Sequence, residues 1–264
     1  MNDQPEQPTS GGRPGVRLNR YMAQCGLGSR RAVERLIVAG HVYVNGEKVR
    51  TLGTVVDPEH DQVEYRGQKL VAVRPLEHYA YHKPAGPVVT RFDPNESRTI
   101  YSELASSTGR SMEHLKYVGR LDRESEGLLL LTSDGSLVHA LTHPRFHVKK
   151  VYLAWVSRAL TAEGARRLEQ EGVESEGQVL RAGSVRSAQG PAGEAGIWYE
   201  VVLFEGKKRQ VRRLFEALGV SIRRLVRTQF GSVRLGDLAP GAIRPLTERE
   251  LGGLRNTGYP LQSR

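Results

Sequence analysis

Apolar positions along the chain change period several times, and each change marks an element. Leu18, Tyr21, Met22 and Cys25 recur at i, i+3, i+4 and i+7, which predicts a helix over about 17–25. In that pattern Cys25 is a packing residue rather than a nucleophile. Gly26 and Gly28 interrupt the helix. Ser29 is a suitable N-cap for a second one that turns Ala32, Val33, Leu36 and Ile37 inward, with Arg30, Arg31 and Arg35 near its exposed side. Gly40 ends it. HVYVNGEKV (41–49) then alternates around Asn45-Gly46, the signal of a tight hairpin, and VEYRGQKLV (63–71) repeats the device around Arg66-Gly67.

The pattern lapses at VAVRPLEHY (71–79), where the proline places a domain boundary. YAYHKPAGPVVTRFD (79–93) predicts a strand running out into a Pro/Gly loop, and GLLLLTSDG (127–135) a buried strand. SDGSLVHALTHP (133–144) predicts a short helix with Leu137, Val138 and Leu141 on one face. VYLAWV (151–156), IWYEVVLFEG (197–206) and SVRLG (232–236) supply further strands, and GPAGEAG (190–196) reads as a flexible loop. Helices and strands interleave without regular β-α-β alternation. The expected class is therefore α+β, a mixed and largely antiparallel sheet with flanking helices, preceded by a small α/β module. The expected organisation is a disordered tail at 1–15, the small module at 16–75, a large domain at 79–250 and a C-terminal tail at 251–264. No internal repeat is visible.

Composition narrows the function classes. Residues 1–15 lack the apolar middle of a signal peptide, and no apolar stretch approaches the length needed to span a bilayer, about 20 residues. The single cysteine excludes an internal disulfide and a cysteine-based zinc cage. A soluble cytoplasmic protein is expected. The net charge of +10 points to a polyanionic partner, and its distribution is uneven. Positions 13–74 hold 11 Lys/Arg against 6 Asp/Glu, and 205–234 hold 9 against 2, which suggests a nucleic acid gripped at two places. There is no Walker lysine loop and no GxGxxG after a strand. His139, His143 and His147 share one region, but Pro144 breaks any helix that could align them on a metal.

Three segments carry candidate chemistry. At VGRLD (118–122) and the two residues after it, Arg120, Asp122, Arg123 and Glu124 crowd against a run of four leucines, and by itself the segment could be no more than a capped turn. In KKVYLAWV (149–156), Lys150 and Tyr152 fall on one face of a strand, Val151 and Leu153 on the other. In EGKKRQVRRLFEALG (205–219), Val211, Leu214, Phe215 and Leu218 form an apolar helical face. Arg212 borders that face, where it can enter a partly buried site. Lys207, Lys208, Arg209 and Arg213 are left to meet phosphates.

Together these segments resemble a known family. RLNRYMAQCGLGSRRAVERLIVAGHVYVNG (17–46) resembles the RNA-binding domain named after ribosomal protein S4, with Arg20, Arg30, Arg31 and Arg35 as RNA contacts. GRLD, GLLLLTSDG, HP, KxY and EGKKRQVRR, in this order, resemble the pseudouridine synthases of the RsuA/RluB type, from about residue 17 to 250. That resemblance implies that Asp122 is the catalytic aspartate, that Tyr152 stacks on the target base and that Arg212 pairs with the aspartate. It implies uridine isomerisation in ribosomal RNA with no cofactor and no metal. Arg120 and Lys150 become RNA contacts. KPAGPVVTRFDP (83–94) resembles the branch acting on large-subunit RNA, 23S rRNA or the assembling subunit, rather than 16S rRNA. A monomer with no membrane contact and no obligate protein partner is expected. Two other readings stand beside it: a non-catalytic RNA-binding or ribosome-assembly protein, and a metal-dependent RNA hydrolase, for which no second acidic residue has ligand spacing.

The trio is physically coherent. Burial raises an aspartate's pKa, an adjacent guanidinium opposes that and fixes its direction, and an aromatic wall gives a flipped base a stacking surface worth about 1–3 kcal/mol.

Overall fold

The computed structural model describes residues 15–71 and 76–258, apart from Glu59 and Asn95. All of the expected N-terminal tail except Gly15 lies outside them. The chain divides into two compact units between positions 75 and 76.

The first unit runs β1 (Val16–Arg17), α1 (Leu18–Gln24), α2 (Arg30–Val38), β2 (Val42–Val44), β3 (Glu47–Val49), β4 (Val55–Val56), β5 (Val63–Tyr65) and β6 (Gln68–Lys69). Ser29 caps α2, its hydroxyl accepting from the Ala32 amide at 3.2 Å. Asn45-Gly46 and Arg66-Gly67 all have positive φ, the twist that lets two-residue turns close the β2–β3 and β5–β6 hairpins. Leu18, Tyr21, Met22, Val33, Ile37, Val42, Val56 and Val63 form this unit's own core, with Cys25 packed at its edge.

The second unit comprises β7 (His78–Lys83), α3 (Ile100–Thr108), β8 (Lys116–Val118), β9 (Ser125–Thr132), α4 (Gly135–Thr142), β10 (Lys150–Val156), α5 (Ala162–Gln170), β11 (Val173–Ser175), β12 (Gln178–Leu180), β13 (Ser184–Ala188), β14 (Ile197–Leu203), α6 (Gln210–Glu216), β15 (Ile222–Phe230), β16 (Val233–Arg234), β17 (Ile243–Pro245) and α7 (Glu248–Gly258). Among the described residues nine strands form one sheet, with the path β13-β14-β10-β15-β9-β7-β17 and with β8 and β16 alongside β9 and β15. Every pairing in it is antiparallel except β15 with β9. The expected α+β class with a mixed, largely antiparallel sheet is what forms.

Leucines 128–131 explain why β9 lies inside. Leu129 and Leu131 enter the larger core, on the face shared with Tyr81, Tyr152, Leu225 and Phe215. Leu128 and Leu130 enter a second core with Phe230, α4 and α7 on the opposite face. A strand covered on both faces has no position for a polar residue, so the run is unbroken. At its start Gly127 has φ +101°, and a Cβ there would lie 2.3 Å from the Arg227 carbonyl oxygen. The parallel approach of β15 to β9 therefore depends on a missing side chain.

Two expectations change. The C-terminal tail does not begin at 251, because α7 continues to Gly258 and buries Leu251 and Leu254 in the second core. Segment 190–196 is anchored rather than free: Pro191–Gly193 form a 3₁₀ turn, Glu194 pairs with Arg224, and Gly190 and Gly196 leave room for the stacked indoles of Trp198 and Trp155. No helix among the described residues is long and apolar enough to cross a membrane.

Candidate active site

The second unit contains a cleft of about 870 Å³, and Asp122 stands on its wall. Two paired strands hold the aspartate's loop, β8 before it and the doubly buried β9 after it. Three contacts fix its path between them. The Asp122 carbonyl accepts from the Ser125 amide at 3.1 Å. Arg123 pairs with Glu96 at 2.6 Å, tying the loop to the segment after β7. Lys83, fully buried at the end of β7, donates to the carbonyls of Pro84 (3.0 Å), Arg123 (3.1 Å) and Ser125 (2.9 Å). All three ammonium protons are thus used, two of them on residues that closely follow Asp122. Burial pushes the Lys83 pKa down to about 8, with Glu126 and Asp122 opposing the shift. Among the described residues the Asp122 carboxylate itself makes no hydrogen bond and no ion pair, so the loop is braced and its acid is left for something else.

Tyr152 and Lys150 both face the cleft, as their alternation on β10 predicts. Tyr152 is buried and shares the larger core, which supports its ring from behind. A bulge between Val151 and Tyr152 sets the register with β15, so that Tyr152 lies opposite Arg227. Lys150 donates to the Val148 carbonyl at 2.9 Å. Burial, with the positive charge of Arg227 adding to it, pushes its pKa down to about 8.

Arg212 differs from expectation. It is buried on α6 among Val211, Leu214 and Phe215, and no ion pair joins it to Asp122. Its Nη1 donates to the Ile222 carbonyl at 3.0 Å, and its Nε is buried without a partner. The helical turn points this guanidinium toward the start of β15 instead of the cleft wall. Its field nevertheless reaches the aspartate's loop, because Arg212 helps, after Arg209, to hold the Glu124 carboxyl below its ordinary pKa.

The cations of 207–213 also divide. Lys208 is exposed at the cleft rim. Lys207 lies 3.5 Å from Glu205 and donates to the Val179 carbonyl, and Arg209 pairs with Glu124 at 3.0 Å. Arg213 is not free to meet a phosphate. It is buried against β11, with hydrogen bonds to the Ser175 hydroxyl and carbonyl and to the Lys208 carbonyl. A helical wheel placed it outward because it carries no information about a hairpin docking on that side. Arg120 is exposed on the cleft. In the first unit Arg31 and Arg35 are exposed beside Val38 and Leu52, Arg30 reaches Asn19 at 3.5 Å, and Arg20 is half-buried.

Two site residues escaped the sequence reading. Lys83 had a visible signal, a lysine ending the apolar run YAYHK. Arg227 had none, since IRRLVRTQF (222–230) reads as polar although it forms a central strand. No group of three or more His, Cys, Asp or Glu among the described residues is placed to hold a metal.

Comparison with known proteins finds relatives of both units. Residues 77–217 match the family model for RNA pseudouridylate synthase, and residues 16–63 match the S4 domain. An uncharacterized RNA pseudouridine synthase of Mycobacterium leprae is 39% identical over 89% of this chain and 91% of its own. The ribosomal large subunit pseudouridine synthase B of Pseudomonas aeruginosa is 38% identical over 95% of this chain, which spans 64% of that protein. A crystal structure of a pseudouridylate synthase superposes with a TM-score of 0.59 at 27% identity, covering 90% of this chain and 99% of that one.

Proposed function

The chain belongs to the RNA pseudouridylate synthase family and is an RNA pseudouridine synthase with an S4 domain, and on that premise we propose that its substrate is a uridine of ribosomal RNA. The RNA is that of the large subunit, 23S rRNA, met free or in the assembling particle in the cytoplasm. The segment KPAGPVVTRFDP and the likeness to a large-subunit enzyme of Pseudomonas aeruginosa support this choice. The enzyme acts as a monomer without cofactor, metal or obligate protein partner.

The observation that carries the site reading is an unpaired Asp122 on a braced loop, in a cleft that also presents a core-backed Tyr152. The reaction breaks the N1–C1′ bond, rotates the uracil and forms C5–C1′, so that C5 loses a proton and N1 gains one. No atoms are lost overall. Asp122 is the catalytic carboxylate. Tyr152 stacks on the flipped base, which brings about 1–3 kcal/mol per base. Arg212 keeps a buried Nε in reserve and pairs with the aspartate when substrate closes the cleft, since catalytic hydrogen bonds often tighten only in the loaded complex. Arg120, Lys207, Lys208 and Arg209 receive backbone phosphates, Arg209 by exchanging Glu124 for RNA.

Asp122→Asn is expected to bind a 23S transcript almost normally and to release no tritium from C5-labelled uridine. Full release from this variant would remove Asp122 from catalysis. Mapping pseudouridines in ribosomal RNA from cells with and without the gene tests the substrate, and an unchanged 23S map overturns it.

A further inference from the structure

Two cations that line the cleft make no ion pair among the described residues. Arg227 is 2% exposed, lines the cleft and makes no ion pair among the described residues. Its Nε donates to the Leu128 carbonyl at 2.7 Å, Nη1 reaches the Arg120 carbonyl only at 3.5 Å, and Nη2 is buried with no partner. Lys150 is likewise without an ion pair and spends one proton on Val148. Both lie against one ring, the Lys150 Nζ at 5.4 Å and the Arg227 guanidinium carbon at 5.2 Å from the Phe230 centroid. Of the acids in the cleft, Asp122 makes no pair with either cation and Glu205 reaches Lys150 only through its field. Glu205 accepts from Gln210 at 2.6 Å and faces Lys207. A buried charge without a partner is strongly destabilising, and two like charges on one ring compound the cost. Such an arrangement persists where a ligand supplies the missing anion.

We propose that Lys150 and Arg227 form an anion site inside the cleft, which takes a phosphodiester of the nucleotide seated against Tyr152. A guanidinium whose buried Nη2 has no partner and an ammonium with two protons left, both beside the Phe230 ring, are donors suited to phosphate oxygens. Arg227 lies opposite Tyr152 in the β10–β15 pairing, so a base stacked on the tyrosine brings its own phosphate within range of the neighbouring cations. The lowered Lys150 pKa, caused by burial and then by Arg227, agrees with a site built for charge that is not yet supplied. The proposal rests on the synthase reading of the same cleft and adds to it the element of substrate that seats the flipped nucleotide.

Labelling the full-length protein tests it without turnover. A short pulse of acetic anhydride near neutral pH, read at Lys150 by mass spectrometry, is run with uridine, with uridine 5′-monophosphate or with inorganic phosphate. The monophosphate and phosphate are expected to slow acetylation about tenfold, as charge-assisted contacts allow, and uridine to leave it unchanged. In Arg227→Lys, which keeps the charge and loses the fork, protection should need about tenfold more monophosphate. Should that variant fold poorly, Lys150→Gln gives a second measure by calorimetry, with monophosphate binding falling to the level of uridine. Equal protection by uridine and its monophosphate would assign the cations to the base, and no protection by either would remove the site. Both results overturn the proposal. Because no ribosomal RNA is used, a failure of the 23S assignment leaves this result standing, and the reverse also holds.

Discussion

Among the contacts that brace the aspartate's loop is a single buried ammonium. Replacing Lys83 by Met keeps most of the volume but takes the lysine donor from the carbonyls of Pro84 and Ser125, while the Arg123 carbonyl keeps the Gly86 amide at 2.8 Å. Unsatisfied buried acceptors cost about 1–3 kcal/mol each, so a loss of about 3 kcal/mol or more is expected in chemical denaturation. Lys83 also gives activity and stability opposite pH dependences. Its pKa of about 8, like that of Lys150, lies below the value of about 10.4 for an unfolded lysine. Between those values the unfolded chain binds more protons, so stability rises with pH in that window. Meanwhile the neutral amine has one proton too few for three carbonyls, and the cleft loses charge. Tritium release is therefore expected to fall above about pH 8 while the melting temperature holds or rises. A parallel fall in both would show that the loss is plain unfolding. These lysines also mark a limit of sequence reading. Asp122, Tyr152 and the four leucines stand out because their neighbours form a pattern, whereas Arg227 and Arg213 look like surface charges until their carbonyl and hydroxyl partners are known.

At the scale of elements, the sheet is joined through the one parallel contact of β15 with β9, and that contact turns on Gly127. Gly127→Ala would force a Cβ into the Arg227 backbone, 2.3 Å from its carbonyl oxygen and 2.7 Å from its nitrogen, in a φ that alanine also resists. A loss of about 3 kcal/mol or more is expected, since overpacking and strain add. Gly177→Ala is the control. It has φ +69° and open space around it, so it should cost only the left-handed conformation, about 1–2 kcal/mol. Equal losses in the two variants would show that backbone conformation, rather than the close approach, decides. Hairpins with Asn45-Gly46 and Arg66-Gly67 were legible because their turn chemistry is local. β15 was not, since Arg223, Arg224 and Arg227 interrupt its apolar positions. Arg224 is answered by Glu126 at 2.9 Å and by Glu194, and Arg223 by the Trp155 face. Those partners lie far away in sequence, so no periodicity rule can supply them.

On the scale of the whole molecule, two units with separate cores divide the work, and the division can be measured in the intact chain. The first unit presents Arg31 and Arg35 in the open beside exposed Val38 and Leu52, with Arg30 next to Arg31 at the start of α2. The cleft and its aspartate belong wholly to the second unit. If the first unit contributes phosphate contacts and the second contributes chemistry, then replacing Arg30, Arg31 and Arg35 by Gln should weaken RNA binding and raise KM while kcat stays within about twofold. Each phosphate released from an arginine should also flatten the plot of log affinity against log salt by about 0.7–0.9, so three of them give a change of about 2–3. None of the three side chains contributes to the core of α2, which rests on Val33 and Ile37, so folding should be unaffected. A drop in kcat at saturating RNA, with the salt slope unchanged, would mean that these arginines shape the reacting complex instead of anchoring it. Asp122→Asn provides the converse, full salt slope and no turnover, and the two variants together separate grip from chemistry.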